Sequence, residues 1–168
     1  MRITRPVLAL AGLLLGATDP AVSGQAKFEA RVNTVQPAEL AKARTYQWST
    51  TLPAFDKKAN DLIVAAVDRQ LGVRGLTRAP AGKSDLIVTY ASATRTDVDV
   101  KGKPAKDGSL PEFNVGMLMV EVRDAPKGQL LFRARMNAPI ESDPASLETM
   151  INGAVAAIFE KYPTSAKR

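Results

Sequence analysis

Val115-Gly-Met-Leu-Met-Val-Glu-Val-Arg123 is followed by Asp124-Ala-Pro-Lys-Gly128 and then by Gln129-Leu-Leu-Phe-Arg-Ala-Arg135. Two apolar, partly alternating runs flank a turn rich in Asp, Pro and Gly, which predicts a β-hairpin. Alternation sets Leu118, Val120 and Val122 on one side and Met117, Met119 and Glu121 on the other. In the second strand it sets Leu130, Phe132 and Ala134 against Leu131, Arg133 and Arg135. One face of the hairpin is apolar and the other mixed. The hairpin therefore belongs at the centre of a sheet, with helices on its apolar face.

Working outward, the chain supplies partners for that hairpin. Ser84 to Val100 reads as a long strand, apolar on both sides at first and alternating from Thr94. Asp97, Asp99 and Arg95 share its wet face, where a cation site is conceivable but solvated charges are commoner. Lys27 to Val35 alternates and reads as a first strand. Pro37 to Lys42 fits a short helical turn. Arg44 to Thr50 reads as a second strand, with Tyr46 and Trp48 on one face. Asp56 is an expected helix N-cap, and Ala59, Leu62, Ile63, Ala66, Val67 and Leu71 form one apolar stripe before a stop at Gly72. Asp61 and Asp68 lie off that stripe and are expected as solvated charges. Val73 to Lys83 is expected as a loop. Asp143 is an expected N-cap with Pro144 at the first helical position. Leu147, Met150, Ile151, Ala154, Val155, Ile158 and Phe159 then form a second stripe, which Pro163 ends. The predicted order is β-β-α-β-β-β-α. The predicted fold is a two-layer α/β (α+β) domain, with one mostly antiparallel sheet of about five strands and two helices on one face.

The chain has 168 residues, enough for one domain with a sizeable core. It contains neither cysteine nor histidine. This excludes thiol nucleophiles, disulfides, the usual zinc sites and imidazole acid–base catalysis. No Gly-x-Ser-x-Gly elbow, phosphate-binding glycine loop or Ser-x-x-Lys is present. The net charge is +6, with basic residues spread along the chain and no interleaved aromatic pattern. That is the pattern of a solvated basic surface rather than a nucleic-acid face.

Residues 1–26 read as a secretory signal peptide: Arg2 and Arg5, an apolar run from Val7 to Ala17, a break at Asp19-Pro20, and small-x-small cleavage sites after Gly24 or Ala26. Removing them lowers the net charge to +5. Leu15-Gly16-Ala17 matches the start of a bacterial lipobox, but Thr18 stands where the lipid-carrying cysteine is required. A periplasmic or secreted protein without a lipid anchor is expected, with one domain over 27–163 and a polar tail over 164–168.

Several stretches, in this order and spacing, resemble a family of bacterial envelope proteins, often lipoproteins, defined by the domain of unknown function DUF4136. They are Arg44-Thr-Tyr-Gln-Trp48, Ser84-Asp-Leu-Ile-Val-Thr-Tyr90, Val115 to Asp124, Lys127 to Arg133, and Ala154-Val-Ala-Ala-Ile-Phe-Glu-Lys-Tyr-Pro163. The resemblance implies an envelope protein with a two-layer α/β domain and brings no catalytic set. The chain departs from the family pattern at Thr18 and at Phe132, where the family often has tryptophan.

Function is then narrowed by exclusion to a non-catalytic binding or interaction module, without a cofactor. The alternative is a hydrolase, or a small-ligand or lipid-binding protein with a site between sheet and loops. Two candidate surfaces stand out. Lys101, Lys103 and Lys106 lie in a long stretch, Lys101 to Asn114, rich in turn formers and expected as a mobile loop. Tyr46 and Trp48 form a candidate stacking surface. The expected partner is another envelope protein or an anionic lipid surface. Oligomeric state stays open.

Overall fold

The computed structural model describes residues 28, 30–49, 56–140 and 144–163. The signal peptide, the Leu52–Phe55 loop, the Asp143 cap and the 164–168 tail lie outside them. The elements are β1 (Arg31–Thr34), α1 (Pro37–Lys42), β2 (Thr45–Trp48), α2 (Lys57–Val73), β3 (Thr77–Arg78), β4 (Leu86–Val98), β5 (Glu112–Asp124), β6 (Leu130–Pro139) and α3 (Pro144–Glu160). They form a six-stranded sheet in the order β1-β6-β5-β4-β2-β3. The expected hairpin is β5–β6, and it sits near the middle. Pairing is antiparallel from β1 to β4 and parallel where β2 joins β4 and β3.

The architecture is the expected mixed α/β one, with one strand and one helix more than counted. β3 lies in the stretch expected as a loop, where two residues pair with β2. α1 is a full element because it carries the chain from β1, at one edge, to β2 near the other. Its Leu40 is 1% exposed.

One register line explains the core. Tyr46, Leu86, Asp124 and, one pair further in, Trp48, Val88, Val122 and Phe132 stand side by side across four strands. Val88, Tyr90, Val120, Ala134 and Met136 continue the same face, and all are buried. α2 and α3 cover it with Ile63, Ala66, Val67, Leu71, Ile151, Val155, Ile158 and Phe159. Phe132 and Phe159 stack at 6.0 Å, and Tyr162 meets Phe132 at 5.0 Å. Burying a ring such as Phe132 contributes about 1.5–3 kcal/mol.

Three local expectations need correction. Leu131, expected on the wet face, is 2% exposed, whereas Leu130 is only partly buried. A bulge opposite Val122/Arg123 inserts Leu131 as an extra residue and turns it inward. The helix stop is at Gly75, not Gly72. Gly75 has φ +81°, Leu76 N–H reaches the Leu71 carbonyl at 3.1 Å, and Gly75 N–H reaches the Gly72 carbonyl at 2.9 Å. These two bonds make a Schellman cap that needs a positive φ, which Gly72 does not supply. Finally, β5 starts at Glu112, so the last three residues of the expected loop are strand.

Asp56 caps α2 as expected, accepting the Ala59 N–H at 2.8 Å. At the N-terminal side, Phe28 lies against Gly153 of α3. A Cβ added at Gly153 would come within 2.5 Å of Phe28 Cε2, so glycine is what permits this approach.

Candidate functional site

Four places on this frame could bind something, three of them on the strands and one between sheet and helices. The first is the pair Tyr46 and Trp48. Alternation puts both on the covered face of β2. The Tyr46 hydroxyl donates to Asp68 Oδ1 at 2.7 Å and the Trp48 Nε1–H donates to the same oxygen at 2.8 Å. Tyr46 is 3% exposed, so its ring is spoken for by the core rather than offered to a ligand. Trp48 is partly buried and meets Tyr90 edge-on at 6.1 Å. Burial, then the Asp68 hydrogen bond, pushes the Tyr46 phenol well above its ordinary range. The expectation that Asp68 is a solvated charge is corrected. It tethers α2 to β2, and its Oδ2 also meets Arg78 of β3 at 3.3 Å. Asp61, by contrast, is exposed, with its carboxylate held by Lys57 at 2.6 Å and by the neighbouring Asn60 amide at 3.2 Å.

The second place is the tip of the β4–β5 hairpin. Lys101, Lys103 and Lys106 are all exposed. The stretch is internally bonded: Gly102 N–H to Asp99 O at 3.0 Å, Ala105 N–H to Ser109 O at 2.8 Å, and Asp99 N–H to Pro111 O at 2.8 Å. Asp99 and Asp107 accept backbone N–H groups in it. Asp99, Asp107 and Glu112 match the three lysines in number, so the tip carries no net charge. Val98, Val100 and Phe113 are exposed there. Asp97 is occupied by the Arg95 fork at 2.7 and 2.9 Å, which holds its carboxyl below the usual range. Among the described residues no group of acidic side chains is arranged to hold a metal ion.

The third place was not foreseen. The sheet face opposite α2 and α3 brings arginines from four strands together. In register across it stand Thr89, Glu121, Arg133 and Asn33, and next to them Ala91, Met119, Arg135 and Arg31. Arg123 and Arg95 lie on the same face. Glu121 is held by Arg123 at 2.9 Å and Arg133 at 2.8 Å. Arg31 and Arg135 are direct cross-strand neighbours, both exposed, and neither has an ion-pair partner among the described residues. Like charges directly opposite one another are destabilising. The signal available in the sequence was Arg133-x-Arg135 and Arg31 on alternating strands. Recognising it required the β1–β6 pairing.

Between the helices and the sheet there is also a half-open pocket of about 200 Å³. It lies at the end where α2 and α3 begin, with Asp56, Ser92 and Thr94 among its lining residues.

Compared with solved structures, the chain is similar to the PelC dodecamer from Paraburkholderia phytofirmans at 14% identity and TM-score 0.53, covering 84% of this chain and 99% of that one. It is also similar to a PDZ domain protein from Parabacteroides distasonis at 15% identity and TM-score 0.51, covering 83% of this chain. There it spans only 37% of the other protein's length. A weaker similarity, TM-score 0.43 at 11% identity, joins 68% of the chain to 97% of lipoprotein GNA1162 from Neisseria meningitidis. At these identities the likeness is one of fold. No curated protein matches the sequence. Among the described residues no helix is long and apolar enough to cross a membrane. A family model matches residues 31–164, and the chain belongs to that family, DUF4136, a domain of unknown function.

Proposed function

We propose that this protein is an exported module of the bacterial cell envelope, periplasmic or secreted, that binds without catalysis. Its partner is the acidic surface of another envelope protein, and its binding surface is the uncovered sheet face. Export rests on the basic, apolar and small-residue layout of residues 1–26. The observation that carries the binding reading is the pair Arg31 and Arg135, held side by side and without an ion-pair partner among the described residues. Among the described residues, five arginines share that face with two carboxylates, Glu121 and Asp97. Such an excess is relieved when an acidic surface docks. Small-molecule sites are concave pockets, so an exposed strand-built face suits a protein better. The lysine tip is a weaker candidate, because its charges balance. That a similar fold occurs in a PelC dodecamer makes self-association the reading to exclude first.

The test uses poly-L-glutamate as the acidic polypeptide and phosphatidylglycerol vesicles as the lipid surface, with binding followed by calorimetry and sedimentation. Wild type is expected to bind polyglutamate in a salt-sensitive way. Arg31→Ser with Arg135→Ser is expected to weaken it about tenfold, since each exposed ion pair contributes up to ~1 kcal/mol. Unchanged binding in the double variant refutes the assignment. Binding to vesicles but not to polyglutamate moves it to lipid, and a concentration-dependent oligomer lost in the variant moves it to a second copy.

A further inference from the structure

The pocket at the start of α2 and α3 has a composition that specifies a ligand. Its wall is aliphatic and thioether: Ile63, Leu118, Met136, Leu147, Met150 and Ile151. Among the described residues, no aromatic ring and no lysine or arginine lines it. Its polar groups are the Asp56 carboxylate and the hydroxyls of Ser92 and Thr94. Protein interiors hold few voids larger than a water molecule. An apolar cavity of about 150 Å³ stays dry and takes up benzene. A space of about 200 Å³ is larger than that.

The other end of the same interlayer is filled by contrast. Phe132, Phe159 and Tyr162 pack there ring against ring. The open end is built from small or flexible groups: Ala93, Gly116, Ala138 and the methionines. Gly116 matters locally. A Cβ at that position would lie 3.1 Å from Ile140 Cγ1, so glycine allows Ile140 to lie across the strand as the rim of the pocket. Met136 and Met150 can change rotamer to follow a guest's shape.

We propose that this pocket binds the end of a single aliphatic chain, about eight carbons deep by scaling from the benzene cavity, with an uncharged, hydroxyl-bearing head at the mouth. The aliphatic and methionine lining selects the chain. The lack of a cation among the described lining residues and the Asp56 carboxylate select against an anionic head. Ser92 and Thr94 offer hydroxyls that can donate to or accept from a neutral one. The site is separate from the arginine face, so the two readings stand or fall independently.

The test is methionine methyl NMR on the full chain, titrated with 1-octanol, octyl glucoside and octanoate below their aggregation limits. The Met136 and Met150 methyl signals are expected to shift and saturate with octanol and octyl glucoside, and to respond less to octanoate. Met119, on the opposite sheet face, serves as the control that stays still. Ala154→Leu fills the pocket from α3 and is expected to abolish the response. Ala59→Leu at the mouth is the second variant, should the first fail to fold. Silent Met136 and Met150 signals, or an equal response in a folded filled variant, overturn the proposal. A response to octanoate alone overturns the neutral head.

Discussion

The two faces of the sheet obey different rules. The covered face is packed with aliphatic and aromatic side chains in continuous register, and polar groups on it are tied to the helices. Asp68 receives both Tyr46 and Trp48, and the Tyr90 hydroxyl donates to Asn60 of α2. The open face keeps its charges in water, and one pair of them, Arg31 and Arg135, is set against itself. Substitutions on the first face should be read out as stability, and those on the second as binding. A protein that only needed to fold would gain nothing from opposing arginines across an edge pair.

The largest effect should come from the aromatic end of the covered face. Phe132→Ala removes a ring in contact with Phe159 and Tyr162 and should cost about 3–5 kcal/mol, read by urea unfolding. A loss under 1 kcal/mol would mean that this end is not the core.

Next is the Asp68 tether. Asp68→Ala leaves a buried phenol and a partly buried indole N–H without their acceptor, which should cost about 2 kcal/mol. Asp68→Asn keeps an acceptor oxygen and should recover part of that. If the two variants melt alike, the hydrogen bonds are not what joins α2 to β2.

A smaller effect ties the starts of β2 and β4. Asp85 Oδ2 accepts the Arg44 and Thr45 N–H groups, each at 2.9 Å, and the Thr45 hydroxyl at 3.0 Å. These bonds, the backbone ones first, hold its carboxyl below the ordinary value of 3.8. Because the folded value is depressed, the stabilisation is present above that ordinary value and fades as pH falls through the folded one. Asp85→Asn should cost about 1 kcal/mol at neutral pH, and the gap to wild type should close in strong acid. A pH-independent gap would contradict the electrostatic origin.

The smallest stability effect belongs to the open face. Arg135→Thr should change unfolding free energy by no more than about 0.5 kcal/mol, in the stabilising direction if repulsion from Arg31 dominates. A large destabilisation would show that the arginine pair is structural.

The same contrast explains how much was legible in the sequence. The stripes of α2 and α3 and the alternation of β5 could be read because burial imposes a local period on each element. Leu131 was misplaced because a bulge breaks that period without marking it in composition. Gly75 lost to Gly72 because both are glycines and only the hydrogen-bond pattern separates them. Asp68 looked solvated because its partners lie 20 and 22 residues earlier, on another element. The open-face arginines were invisible for a similar reason. Arg31 and Arg135 are adjacent only because β1 pairs with β6, and no local pattern states strand order. The lysine tip drew attention because its basic residues are close in sequence, although its acidic residues cancel them.

The central claim is that binding belongs to the open arginine face. Backbone and arginine-side-chain NMR shift mapping during a poly-L-glutamate titration tests it most directly. The account predicts saturable shifts at Arg31, Arg133 and Arg135, with Lys101, Lys103, Lys106 and the α2–α3 layer unmoved. Shifts confined to the lysine tip, or no saturable shifts on the sheet face, would contradict it.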